Sequence, residues 1–254
     1  IPPSIPFIIY GVIANVSIGA LFLGGIIPGL LLGLGLTVYM VWIAKTRNYP
    51  REQPAKFPEI LSGAWRALPA LLMPLIILGG ILGGIFTPTE AAGVAVVYAF
   101  IVGLLFYRRL NIKKLPEILL ASGLETAMVM LLLGLSEPFA WVVAVEQLPQ
   151  QMIEILSQVS TSPSVVLLLI NIALIIVGIP LETAPALIIV TPVIAPIALK
   201  MGIDPVHMGI IVCFNLVLGL ITPPVGAVLF SICGISGLSL EKLSRAIWIP
   251  FWIS

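Results

Sequence analysis

Long apolar runs alternate with short polar clusters along the whole chain. Apolar residues dominate 19–44, 59–84, 88–107, 118–145, 163–200 and 206–237, and another run opens at 239–254. Stretches of this length meet the roughly 20 residues that a helix needs to cross a bilayer, so the pattern predicts an all-α membrane protein. The arm 163–178 is shorter than the rest. At about 1.5 Å per residue it reaches about 24 Å, against about 30 Å of hydrocarbon. A re-entrant hairpin over 163–200, turning at "GIPLETAP", therefore fits better than two crossings, although the charge pattern is compatible with both. Between 145 and 163, "EQLPQQMIEILSQVSTSP" has one polar face and reads as an interfacial piece.

Composition strengthens this reading. The 254 residues are 60% hydrophobic and 9% charged, where soluble domains average about half apolar and about a quarter charged. No soluble domain is evident. Net charge is +1, but in a membrane chain placement says more than the sum. Lys and Arg gather at Lys45, Arg47, Arg51 and Lys56, at Arg108, Arg109, Lys113 and Lys114, and at Lys242 and Arg245. An excess of basic residues in short loops marks the cytoplasmic side. The pair 59–84 and 88–107 then returns to one side, 118–145 runs outward, and 206–237 runs back to Lys242. "IPPSIPFIIYG" at the start has no initiator Met and no basic segment, so a signal peptide is not expected and the chain reads as cut from something longer.

The polar punctuation inside the apolar runs carries the chemistry. Gly219-Leu-Ile-Thr-Pro-Pro-Val-Gly226 places two prolines where an unbroken helix would be safest. Proline lacks an N–H and clashes with the preceding turn, so Pro223 and Pro224 should release carbonyls around Gly219, Leu220 and Ile221. Exposed to lipid, each freed carbonyl would cost several kcal/mol. A desolvated Na+ is satisfied by such oxygens, the Thr222 hydroxyl adds another, and Gly219 and Gly226 permit close approach. A half-helix opening near Gly226 would aim its positive end at an anionic group. The alternative is a plain proline kink accommodated by neighbouring helices.

The same device occurs twice. "IPPSIPFIIYGVIANVSIGALF" aligns with "TPPVGAVLFSICGISGLSLEKL", Pro2-Pro3-Ser4 falling on Pro223-Pro224-Val225. By the loop charges the first copy runs outward and the second inward. Oppositely threaded repeats are the architecture in which secondary transporters bind substrate and ions near the midplane. Residues 1–44 form the tail of one repeat, 45–58 a cytoplasmic linker, and 59–254 the other repeat.

Further polar positions are Glu182 and Thr183 at the hairpin tip and Ser136-Glu137-Pro138, expected to interrupt the 118–145 crossing. Glu182 either caps the second arm or serves function, and Glu137 should face a cavity or a partner. Ser136, Glu137, Glu182, Thr183, Pro223, Pro224 and Gly226 are the candidates for substrate binding or gating. Thr87-Pro88-Thr89-Glu90 fits a reciprocal helix cap, which competes with an ion-related role for Glu90. His207 sits in the first turn after Asp204-Pro205, Cys213 and Cys233 read as buried hydrophobes, and Trp141, Trp248, Phe251 and Trp252 as interfacial belts. No His-Glu-x-x-His pattern, Gly-x-Ser-x-Gly elbow or aspartate pair occurs, so catalysis is not expected.

Three stretches, "GGIFTPTEAAGVAVVYAFIVGLLFYRRL", "GIPLETAPALIIVTPVIAPIALKMGIDPVHMGIIVCFNLVLGLITPPVGAVLF" and the opening "IPPSIPFIIYG", resemble the large membrane subunit of tripartite ATP-independent periplasmic (TRAP) transporters, the DctM-type permease. The resemblance spans nearly the whole chain. It implies an elevator-type secondary transporter in a bacterial or archaeal cytoplasmic membrane, driven by Na+ and importing organic anions such as C4-dicarboxylates or sialic acids. It also implies a small DctQ-type membrane subunit and a DctP-type periplasmic binding protein, with no nucleic-acid partner. Carried over, one Na+ site falls at Gly178, Gly219, Thr222 and Val225, and Pro3 and Ser4 line its counterpart. Ion binding would order the hairpin tips, and the unit bearing them would slide against 19–44, 59–84 and 88–107. A binding-protein-independent ion or oxyanion transporter of the same superfold is the alternative.

Overall fold

A computed structural model describes residues 1–50, 54–108, 110–159, 162–223 and 226–253. Arg51, Arg109, Pro224 and Val225, and the side chains of Trp248, Phe251 and Trp252, lie outside the described set. Among the described residues the chain is helical, without a strand: α1 Ile5–Ile13, α2 Ile18–Thr46, α3 Phe57–Leu82, α4 Pro88–Ile101, α5 Leu115–Val145, α6 Leu148–Val159, α7 Pro163–Gly178, α8 Thr183–Lys200, α9 Pro205–Gly219, α10 Ala227–Ser236 and α11 Leu240–Ile253. A π-helical turn, Val102–Phe106, prolongs α4, and among the described residues five helical stretches are long and apolar enough to span a membrane.

The residues cluster into two compact units. One comprises Pro3–Tyr39 and Met128–Ser254, the other Met40–Ala127. In the first, α8 and α9 form the centre, with α1 and α7 packed against them. Phe7, Tyr10, Leu21, Phe22, Leu187, Met208 and Leu216 are fully buried there. Lipid tails are as apolar as these side chains, so close packing and interhelical hydrogen bonds hold such helices together more than water exclusion does. Small residues make the closeness possible: a Cβ on Gly209 would collide with the Tyr10 ring. A polar pin joins α7 to α9, the Asn215 amide donating to Asn171 Oδ1 at 2.7 Å while Asn171 donates to the Leu167 carbonyl at 2.7 Å.

The second unit is built on the α3–α4 hairpin. Two prolines, Pro69 and Pro74, stand inside α3, where each removes a helical hydrogen bond. Tyrosines supply donors nearby, Tyr98 to the Pro69 carbonyl at 2.7 Å and Tyr107 to the Arg66 carbonyl at 2.8 Å. At the turn, Phe86 folds onto Gly80, leaving no room for a Cβ. Thr87 and Glu90 cap α4 reciprocally: Thr87 N–H donates to Glu90 Oε2 at 2.8 Å and Glu90 N–H to Thr87 Oγ1 at 3.3 Å. Capping therefore accounts for Glu90.

One expectation needs correction, and one of two open readings drops out. Ser136-Glu137-Pro138 does not interrupt the crossing, because α5 runs continuously from Leu115 to Val145 with Pro138 inside it. One proline deletes one ladder bond, which a long helix survives, and the Ser136 hydroxyl donates to the Leu133 carbonyl of the same helix at 2.6 Å. Nor does the Glu182 side chain cap α8; Glu182 occupies the cap position with its carboxylate unengaged there. The cysteines are free, Cys213 buried and Cys233 half-buried.

Thr87→Val removes the cap acceptor and should destabilise the protein by about 1 kcal/mol, read as a lower thermal midpoint of the purified protein in detergent. Thr46→Val, which deletes only a hydroxyl bonded to the Trp42 carbonyl of its own helix, should leave the midpoint unchanged.

Candidate functional site

The run 205–236 contains a break. α9 ends at Gly219 in tightened turns: Leu220 N–H donates to Val217, Ile221 to Leu218 and Thr222 to Gly219, at 3.2, 3.1 and 3.0 Å. Pro223 has no N–H to continue the ladder. Instead the chain folds back, with Gly226 N–H donating to the Thr222 carbonyl at 3.2 Å and Val228 N–H to the Leu220 carbonyl at 3.3 Å. Gly226 is required by this reversal, since a Cβ there would strike the Leu220 carbonyl oxygen. The break thus frees fewer acceptors than proline chemistry alone suggests. Gly219 and Leu220 each already accept one main-chain N–H, and each carbonyl retains a second lone pair.

Against this break lies the hairpin tip. α7 ends at Gly178 and α8 begins at Thr183. An added Cβ on Gly219 would sit 2.5 Å from the Gly178 carbonyl carbon and 2.7 Å from its oxygen, and one on Gly178 would sit 3.2 Å from Gly219 Cα. Bare main chain therefore meets bare main chain. Thr222, 4% exposed, donates its hydroxyl to the Leu218 carbonyl at 2.8 Å, which leaves the oxygen's lone pairs for another partner. Thr183 Oγ1 is buried without a hydrogen-bond partner.

The structure brings Gly178, Gly219 and Thr222 into one neighbourhood, whereas Val225 and Pro224 fall outside the described residues. Ser4 stands at the start of α1 without a side-chain cap bond, and Pro3 precedes it half-buried. Ser4 lines a small cavity of about 60 Å3 together with Phe7, Val217 and Leu218, so the first proline motif approaches α9 just before its break. Ser136 and Glu137 are elsewhere, in a cavity of about 520 Å3 whose lining includes Thr191, Pro192 and Gln150. Glu182, Thr183, Gly178 and Thr222 take no part in that lining.

Sequence reasoning passed over Thr191 and the Asn171–Asn215 pair. Each had a signal: uncharged polar groups inside apolar runs, which demand partners in a bilayer. Among the described residues no three His, Cys, Asp or Glu side chains gather. The donors on offer at the break are carbonyl and hydroxyl oxygens, a set suited to hard cations and not to transition metals. The N-terminal end of α10 opens onto the same place and adds partial positive charge beside it.

Comparison with known proteins adds an independent observation. A family model described as "Tripartite ATP-independent periplasmic transporter, DctM component" matches residues 1–254. A C4-dicarboxylate TRAP transporter large permease protein DctM from Pseudomonas aeruginosa is 42% identical over 246 residues, covering 97% of this chain and 58% of that protein. A sialic acid TRAP transporter large permease protein SiaM from Vibrio cholerae is 41% identical over 247 residues, with coverage of 97% and 58%. An isethionate TRAP transporter permease protein DctMQ from Oleidesulfovibrio alaskensis is 41% identical over 248 residues, with 97% of this chain and 39% of that protein covered. The chain thus spans between 39% and 58% of the length of these three relatives.

Gly219→Ala places a methyl group against Gly178 main chain and should destabilise the protein by about 1–3 kcal/mol, as overpacking does. Gly93→Ala, where nothing lies within 4 Å, should be neutral or slightly stabilising. Thermal unfolding of both variants in one detergent makes the comparison.

Proposed function

The chain belongs to the DctM family of tripartite ATP-independent periplasmic transporters, and on that footing we propose that it is the ion- and substrate-handling part of a Na+-coupled permease for organic anions. The observation that carries this reading is the contact between Gly178 and Gly219 at the interrupted helix, with the buried Thr222 hydroxyl beside it. Two helix ends from different segments converge there through main-chain atoms alone.

Na+ is cargo in this reading. Carbonyls of Gly178 and Gly219 and the Thr222 oxygen supply its ligands, with Val225 a further candidate, and Pro3 and Ser4 line a counterpart on the other repeat. The ion ties the hairpin tip to the broken helix, so the loaded arrangement of the tip is favoured over the empty one. Its charge, together with the N-terminal end of α10, lowers the cost of holding an anionic group nearby. Coupling follows from this difference in affinity, because a ligand shifts a conformational equilibrium only as far as it prefers one state. Glu182, Thr183, Pro223 and Gly226 shape the tip and the reversal around the ion, and Pro224 remains a sequence candidate outside the described residues.

The substrate class rests on the relatives' names, which include a C4-dicarboxylate, sialic acid and isethionate. These differ in shape and share an acidic group. Partners of the TRAP kind, a small membrane subunit and a periplasmic binding protein that delivers the acid, complete the system in a bacterial or archaeal inner membrane.

Thr222→Val keeps the side-chain volume and deletes the oxygen. In vesicles carrying the full-length permease with its partners, this variant should need about tenfold more Na+ for half-maximal uptake, equivalent to about 1.4 kcal/mol. An unchanged Na+ dependence with normal uptake would remove Thr222 from the ion site.

A further inference from the structure

The cavity at Ser136 and Glu137 has a chemistry unlike that of the break. It lies among the end of α1, the later half of α5, the start of α6 and the second half of α8, within one compact unit. By the charge parity of the loops, these are the outward parts of those helices. Its volume of about 520 Å3 is in the range of small-molecule sites, about 300–1,000 Å3, and far larger than a bare alkali cation requires.

Its walls are mostly apolar, and their polar points are the Ser136 and Thr191 hydroxyls, the Glu137 carboxylate and the Gln150 amide, which offers both donors and an acceptor. Glu137 is exposed to the cavity. Among the described residues no basic side chain lines it and Glu137 makes no salt bridge. The Ser136 hydroxyl spends its proton on the Leu133 carbonyl, so toward the cavity it offers lone pairs. Pro192 stands on the wall, and Pro196, four residues on, has no N–H to give to the Pro192 carbonyl. Thr191 supplies the independent sign that something is missing: it is 0% exposed, it belongs to the cavity lining, and its hydroxyl has no hydrogen-bond partner. Buried polar atoms in folded proteins are nearly always paired. A few acceptor oxygens and one carboxylate set in an otherwise apolar wall favour a ligand that brings hydroxyl donors on an apolar frame, and they disfavour a second negative charge close to Glu137.

Resting on the organic-anion reading above, we propose that this cavity is an outer docking station for the hydroxylated end of an organic monoanion, with Glu137, Ser136 and Thr191 receiving its hydroxyl groups. The station is distinct from the ion site at Gly178, Gly219 and Thr222. It makes the permease selective among acids: a polyhydroxy monocarboxylate is held, an unsubstituted chain of the same length is not, and a dicarboxylate is repelled.

Three six-carbon acids separate these features, namely gluconate, hexanoate and adipate. Their binding to the purified full-length permease in detergent, with Na+ saturating, is measured by titration calorimetry. Gluconate should bind tightest. Glu137→Gln should weaken gluconate about tenfold and strengthen adipate, and Thr191→Val, which keeps the shape and deletes the orphan hydroxyl, should weaken gluconate alone. Glu146→Gln, outside the cavity lining, should change nothing and serves as the folding-matched control. If the wild-type protein binds acids but neither cavity variant alters the gluconate-to-adipate ratio, the station is wrong while the organic-anion reading stands. If the wild-type protein binds none of the three acids with or without Na+, both readings fall.

Discussion

Two main chains meet at Gly178 and Gly219 with no side chain between them, and the first compact unit is organised around that meeting. In a bilayer every peptide group must find a partner within the protein, so helices that stop at membrane depth are tolerated only where other protein atoms or a polar ligand take over. Here the takeover is partial. The reversal after Gly219 supplies donors to the Gly219, Leu220 and Thr222 carbonyls, enough to hold the break without making it inert. Glycine is demanded at Gly219 and again at Gly226, where a Cβ would strike main chain, and Gly178 leaves only a tight fit against Gly219 and Leu216. The polar pin between Asn171 and Asn215 fastens the same pair of helices about one to two turns before each ends. α7 and α9 are thus held in register by a hydrogen bond and brought to contact by the absence of side chains.

The two compact units use polarity differently. In the unit Met40–Ala127, polar side chains serve the backbone: Thr87 and Glu90 close a cap, and Tyr98 and Tyr107 serve carbonyls near internal prolines. In the other unit several polar groups are left with capacity to spare. Thr183 and Thr191 have buried hydroxyls without partners, and Thr222 keeps its lone pairs. Structural economy would replace such threonines with valine, since an unsatisfied buried hydroxyl costs about 1–3 kcal/mol. They stand in the unit that also contains the break and the cavity at Ser136 and Glu137, which accords with the proposed function.

Much of this was legible in the sequence because lipid is a severe editor. Apolar runs near 20 residues announce spans, Asp204-Pro205 and Thr87-Pro88 announce helix starts, and a double proline in a span cannot be continued as helix. The break at Thr222 followed from those constraints. What escaped were features that depend on which segments meet. Pro138 looked like an interruption, yet one missing bond did not end α5, whereas the run after Gly219 meets two consecutive prolines. The freed carbonyls were overcounted, because the return bond from Val228 to Leu220 is made by a residue beyond the break. Thr191 was overlooked because its significance lies in the cavity across which it faces α5, a relation that spacing along α8 does not display.

The central claim is that the interruption around Thr222 is completed by a monovalent cation. Amide hydrogen exchange of the full-length permease, followed peptide by peptide over residues 176–184 and 217–228 in Na+ and in K+ at equal ionic strength, tests it most directly. Slower exchange in both segments in Na+ alone, with α3 and α4 unaffected, is the result predicted. Identical exchange in the two salts would mean that ordinary tertiary packing already satisfies the break, and the ion site would have to be abandoned.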